Sequence, residues 1–176
     1  DREGVSRRRV ALVEEGIARG VLYDRMHAAR MAGVSTGSAL PPESGVGGMS
    51  IAASCLQLQG GEAKSVEELI SGVDHGLYVC RLHYVNGLLE PRRAVMTGLT
   101  RDGCFLIEKG KLVAPVGNMR FTDSFLEGLE RCDGMTAARR AVPTWWSDAG
   151  AIVAPAIRMR QFRFNGRSQE LPKLEV

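Results

Sequence analysis

Residues 93–116 read RAVMTGLTRDGCFLIEKGKLVAPV, and this stretch decides the fold. Three apolar runs, Arg93 to Thr100, Cys104 to Glu108 and Leu112 to Val116, are separated by Arg101-Asp102-Gly103 and by Lys109-Gly110. Short runs rich in Val, Ile, Leu and Phe, bounded by glycine-bearing polar residues, read as strands joined by tight reversals. Connections this short join antiparallel neighbours only, so the spacing predicts an antiparallel meander.

On the N-terminal side, Leu77 to Val85 is predicted to be another strand. Before it comes a helix signalled by the capping box Ser65/Glu68, with Val66, Leu69, Ile70 and Val73 on one buried face and Gly76 as its end. Met49 to Leu58 alternates as a strand does, closed by Gly60-Gly61, and Val34 to Gly48 is a long loop rich in Gly, Pro and Ser. Val10 to Leu22 reads as a hairpin turning at Glu14-Glu15-Gly16, followed by a helix capped by Asp24, running through Met26 to Ala32 and stopped by Gly33. On the C-terminal side, Asp123 is expected to cap a helix from Ser124 to Arg131 that buries Phe125, Leu126 and Leu129. Two strands, Ala151 to Ala154 and Ile157 to Phe164, close the chain.

Leu12-Val13-Glu14-Glu15-Gly16 is echoed by Leu106-Ile107-Glu108-Lys109-Gly110, which points to an old duplication of a hairpin–helix unit. The fold class that follows is α+β, an antiparallel or mixed sheet with helices packed on it. We expect one domain over residues 1–170, with an aperiodic tail over 171–176 that is extraneous to it. The polar, arginine-rich start at Asp1 is read as the continuation of a longer or processed chain.

With 44% hydrophobic and 24% charged residues, the 176-residue chain has the composition of a folded domain rather than a disordered one. The net charge of +3 comes from arginines spread along the sequence, the only lysines being Lys64, Lys109, Lys111 and Lys173. Few aromatic residues stand between those arginines, so a nucleic-acid face is not expected. No apolar run approaches the ~18 residues of a membrane span. Cys55, Cys80, Cys104 and Cys132 form no Cys-x-x-Cys pair and are expected to be reduced, mostly core residues, as in a cytoplasmic protein.

Zinc hydrolysis needs about three converging ligands. His27, His75 and His83 are the only histidines, and no two stand three or four positions apart, so no helical face presents a histidine pair. His27 reads as a capping or surface residue within its helix and His75 as the end of another. Asp74-His75 invites a general-base reading, but neighbours on a helix do not face each other. Cys104 lies in an apolar setting that should raise its pKa and leave it inert. Gly45, Gly47 and Gly48 lack the lysine and the strand–loop–helix order of a phosphate loop. His83, Tyr84, Asn86 and Arg101, at the expected ends of apolar strands, are placed to line a substrate groove, and strand edges there can pair with an extended peptide.

Taken in order, the hairpin at Leu12–Gly16, the helix Asp24–Gly33, Ser65-Val66-Glu67-Glu68-Leu69-Ile70, Thr97-Gly98-Leu99-Thr100-Arg101-Asp102-Gly103, Phe105–Lys111 and Pro115-Val116-Gly117-Asn118-Met119-Arg120-Phe121 resemble the carboxy-terminal half of TldD/PmbA proteins. The likeness runs from about Val5 to Gly166. It implies an α+β domain in a cytoplasmic peptidase assembly, in which a TldD-type subunit holds one zinc and a PmbA-type (TldE) subunit or a second copy is its partner. The family's older name is modulator of DNA gyrase, and its substrates are extended or unfolded peptides.

The zinc-binding subunit uses an upstream His-Glu-x-x-x-His helix and a late cysteine. This chain has neither, and Trp145-Trp146 stand near where that cysteine belongs. No catalytic, cofactor or metal residue is therefore carried over, and the resemblance is to a PmbA-like or divergent member whose zinc is held upstream or by a partner. Trp145 and Trp146 are core residues or line the substrate chamber. The rival expectation is a non-catalytic module that binds peptides or proteins by strand addition. No membrane association is expected.

Overall fold

A computed structural model describes residues 1–41, 50–143 and 151–167. The chain divides into two compact units, residues 1–59 with 140–154 and residues 60–139 with 155–176.

The first unit opens with a small hairpin, β1 (Val13–Glu14) and β2 (Ile17–Ala18). Glu15 and Gly16 both take positive φ (52° and 75°), which gives the twist a two-residue hairpin requires. Helix α1 (Arg25–Arg30) is capped as expected: the Asp24 carboxylate accepts a hydrogen bond from the His27 amide. Its left-handed stop falls at Ala32 (φ 51°) and not at Gly33, whose amide donates to the Ala28 carbonyl. Of the strand expected over Met49 to Leu58, the described residues form β3 (Cys55–Gln57), running parallel to β9 (Ala151–Met159), and an isolated antiparallel bridge from Ile51 to Ala39. β9 absorbs most of the two closing strands as one, with Pro155 lying past its last pairing with β3 at Val153.

The second unit holds the meander. Helix α2 (Val66–Ser71) is capped by Ser65, whose hydroxyl accepts from the Glu68 amide, and it ends at Gly72 rather than running to Gly76. The chain then enters a strand early, so His75 opens β4 (His75–Glu90) instead of closing a helix. A 3-10 turn at Pro91–Arg93 leads into β5 (Val95–Glu108), then β6 (Lys111–Pro115) and β7 (Met119–Ser124). The sheet is antiparallel throughout. β4 is its end strand, β5 pairs with β4 on one side and with β6 and β7 on the other, and β10 (Phe164–Arg167) lies outside β7. Lys109 and Gly110 repeat the φ pattern of Glu15 and Gly16, at 47° and 75°. The echo in the sequence is thus a shared turn geometry.

Arg101-Asp102-Gly103 does not reverse the chain as expected. Val79 pairs with Cys104 and Arg81 with Arg101, so one residue of β4 faces two of β5. Asp102 (φ 64°) and Gly103 (φ 128°) form a bulge inside a continuous strand, because a single extra residue changes twist without ending the ladder.

Alternation along β5 and β7 puts Gly98, Thr100, Phe121 and Asp123 on one buried face. Phe121 is fully buried and sits against Phe162 (5.6 Å) and Phe125 (6.1 Å). Burying such a ring contributes on the order of 1.5–3 kcal/mol. Gly98 is the place where the ring fits: a Cβ there would stand 2.7 Å from Phe121 Cε1 and 2.9 Å from the His83 carbonyl.

Helix α3 (Phe125–Glu130) is capped by Ser124, not Asp123, and Leu126 and Leu129 face outward, at 52% and 49% exposure. Asp123 is used elsewhere. Its buried carboxylate accepts from the amides of Ser124 and Arg163 and from Arg131 Nη2, tying β7 to the end of α3 and to the approach to β10. Strand β8 (Cys132–Pro143) follows α3, and Asp133 holds Arg158 and Arg160 of the returning chain, each at 2.6 Å. No helix among the described residues is long and apolar enough to cross a membrane.

Candidate functional site

The register brings three of the predicted groove residues to one surface. His83 lies opposite Leu99, Asn86 opposite Thr97 and Arg101 opposite Arg81, which places these side chains on the face of the sheet away from Phe121. The same face continues onto β7, where Thr122 pairs with Thr97 and Arg120 with Leu99. Arg81, Asn86, Arg101 and Arg120 are exposed, and His83, Thr97 and Thr122 half-buried. These groups sit mid-strand and not at strand ends, because β4 and β5 run on through bulges where breaks were expected.

Tyr84 is displaced from that face by a second bulge. Three steps on β4, from His83 to Asn86, match two on β5, from Leu99 to Thr97. The surplus is taken up at Tyr84, an aromatic residue at φ 52° with 63% exposure, its ring 5.9 Å from that of His83. A left-handed β-strand tyrosine costs about 1–2 kcal/mol relative to glycine there, and packing does not repay it. Such outliers gather at binding and catalytic sites.

The polar groups of this face are linked but not saturated. Thr97 Oγ1 donates to the Phe121 carbonyl at 2.8 Å and accepts from Thr122 Oγ1 at 3.2 Å and Arg120 Nη1 at 3.4 Å. Arg81 pairs with Asp102 at 2.6 Å, while Arg101 reaches the same carboxylate only at 3.8 Å. Arg101 and Arg120 thus keep donor capacity toward solvent. Sequence reading missed Arg81, Arg120 and Thr122; the period-two alternation of Arg120-Phe121-Thr122-Asp123 was the signal that could have found two of them. Trp145, Trp146 and the glycines at 45, 47 and 48 lie outside the described residues.

His27 has a local task. Asp24 is 5% exposed, and its Oδ1 lies 2.8 Å from His27 Nδ1 as well as accepting the His27 amide. That amide, together with the ring, holds the Asp24 carboxyl below the usual carboxylate range. His75 opens β4, where it pairs with Glu108, while Asp74 stands just before the strand; among the described residues the two form no base–carboxylate pair. Cys104 is buried at 2% exposure, and burial pushes its thiol above its ordinary value, as its apolar setting implied. The expectation of mostly buried cysteines fails for Cys55 and Cys80, which are exposed; all four are free thiols. Cys80 lies where the bulge at Asp102-Gly103 shifts the register between Val79 and Arg81.

Among the described residues, no three His, Cys, Asp or Glu side chains gather as metal ligands would. Asp123 and Asp133 are already committed to arginines. These residues do not fit a zinc ion.

Solved structures with a related fold include the following three. TldE from Thermococcus kodakarensis superposes with a TM-score of 0.78 at 22% identity, over 94% of this chain and 36% of that one. A protein from Thermotoga maritima designated a modulator of a DNA gyrase gives 0.71 at 20% identity, over 94% and 35%. One of the same designation from Bacteroides thetaiotaomicron gives 0.61 at 20%, over 93% and 31%. The chain therefore spans about a third of the length of the proteins it matches. No curated protein sequence matches it. The family model described as the PmbA/TldA metallopeptidase C-terminal domain matches residues 1–166, and the chain belongs to that family.

Proposed function

We propose that this domain is part of a cytoplasmic peptidase of the TldD/PmbA type and helps to hold an extended peptide while hydrolysis takes place at a metal carried by an upstream segment or by a TldD-type partner subunit. The observation that carries the reading is the polar face of β4, β5 and β7 beside the strained, exposed Tyr84. β4 is the end strand of its sheet, so a peptide can add along it through backbone hydrogen bonds. Asn86 can both donate to and accept from a peptide backbone, and Arg101 and Arg120 can donate to carbonyl or carboxylate oxygens. His83 and Tyr84 offer ring surface to side chains that project from every second position. Family membership supports the peptidase context.

The test is to purify the full-length protein with its TldD-type partner and follow cleavage of unfolded peptides. Cleavage should require both subunits and stop on chelation. Tyr84→Gly should raise thermal stability by about 1 kcal/mol, by relieving the left-handed strain, while weakening peptide capture. Cleavage that survives chelation, or a variant that binds peptide as well as the parent, would count against the reading. Peptide capture with no cleavage under any pairing would favour the second reading, a binding module acting by strand addition.

A further inference from the structure

We infer that the first unit carries a second recognition site, a basic cleft that takes the side-chain carboxylates of an acidic, extended peptide; the inference rests on the peptide-handling role proposed above and gives it a sequence preference. The cleft is open, with a volume of about 550 Å3, and Arg8, Arg9, Arg19, Val21, Tyr23 and Thr36 are among its lining residues. Three arginines line one concavity and call for counter-charge, and little is supplied. Arg19 reaches Glu14 only at 3.9 Å, with both side chains at least half exposed. Arg8 spends one nitrogen on the Val34 carbonyl at 3.3 Å, and among the described residues neither Arg8 nor Arg9 has a carboxylate within ion-pairing distance. In the second unit, by contrast, Arg81, Arg93, Arg131, Arg158 and Arg160 each pair with a carboxylate at 3.2 Å or less.

The backbone beside the cleft distinguishes among anions. From Ser6 to Ala11, the segment that bears Arg7, Arg8 and Arg9, no backbone group is hydrogen-bonded among the described residues, and five of these six residues are exposed. An extended peptide satisfies free amides and carbonyls of this kind, whereas a phosphodiester chain supplies acceptors but no donors. Among the described residues Tyr23 is the only aromatic one lining the cleft, too few for the stacking that single-stranded nucleic acid requires. Guanidinium binds carboxylate through paired N–H donors, which gives the site direction as well as charge.

The experiment measures fluorescence anisotropy of the full-length protein with two acetylated, amidated, unstructured peptides, one with four spaced glutamates and one with glutamines in their place. The glutamate peptide should bind roughly five- to ten-fold more tightly at low salt, as two partly exposed ion pairs allow, and the gap should narrow as salt rises. The double variant R8Q/R9Q should remove that preference while keeping the parental melting profile, and R92Q, a control in the second unit, should leave it intact. Equal binding of the two peptides, or a preference that survives R8Q/R9Q, overturns the cleft while the peptide-holding role stands. Binding of neither peptide overturns both. A glutamine peptide with a free C-terminus that binds as tightly as the glutamate peptide, or a single-stranded oligonucleotide that displaces it through the same arginines, refutes the assignment to side-chain carboxylates.

Discussion

Replacing Asp123 by alanine tests the claim that the second unit is locked by one buried carboxylate. The side chain is inaccessible to solvent and accepts three hydrogen bonds: from the Ser124 amide at 2.8 Å, the Arg163 amide at 2.9 Å and Arg131 Nη2 at 2.9 Å. Truncation orphans two backbone donors and leaves a guanidinium facing a void. Removing one partner of a buried ion pair costs about 3–5 kcal/mol. The lower end applies, because Arg131 is 22% exposed and keeps bonds to the carbonyls of Glu127 and Gln161. The expected loss is therefore about 3 kcal/mol, and about 2 kcal/mol for Asp123→Asn, which retains an acceptor but presents an amide group to donors. With a urea dependence of about 2 kcal/mol per molar, the alanine variant should unfold about 1.5 M earlier with an unchanged slope, followed by far-UV circular dichroism. A loss below about 1 kcal/mol, the size expected of a simple helix cap, would refute the locking role and restore the expectation that Asp123 only caps α3.

Gly98→Ala should destabilise by about 1–3 kcal/mol in the same assay, because its Cβ would enter the space of the Phe121 ring and the His83 carbonyl. The Asp133 carboxyl is held below its ordinary value of 3.8, first by Arg158 and then by Arg160. A lowered folded pKa means stability that is present above that ordinary value and lost as pH falls through the lower one, so the melting temperature of the parent should drop more steeply below about pH 4 than that of Asp133→Asn. In a thiol-labelling time course at neutral pH, Cys55 and Cys80 should react promptly and Cys104 only on unfolding; labelling of native Cys104 at the rate of the other two would contradict its burial.

The parts of the fold legible in the sequence are those that local chemistry determines. Ser65 and Glu68 announce the start of α2, Asp24 that of α1, and Glu15-Gly16 and Lys109-Gly110 specify two-residue turns with the same pair of positive φ values, 52° and 75° against 47° and 75°. Where the reading failed, a distant partner decided. Asp-Gly at 102–103 is a turn signal in isolation, but β4 continues past it and converts it into a bulge. Asp123 has the chemistry of a cap, but Arg131 and Arg163, eight and forty residues away, claim it for the interior. Leu126 and Leu129 have the spacing of a buried stripe, yet the helix they belong to is only six residues long and turns Gly128 inward.

The same division governs the site. His83, Asn86 and Arg101 could be suspected from the sequence because polar residues interrupt apolar runs there, but that they share a face is a matter of register, including the bulge at Tyr84, that no local pattern encodes. Each bulge adds one residue to one strand only, so the alternation that would otherwise turn His83 and Asn86 to opposite faces is reset between them. Deleting Tyr84 or Val85 would leave His83 and Asn86 two residues apart, matching Leu99 and Thr97, so both side chains would stay on the polar face and only the bulge between them would go. The surplus residue is therefore not what puts His83 and Asn86 on one face; it sets the exposed, left-handed Tyr84 between them.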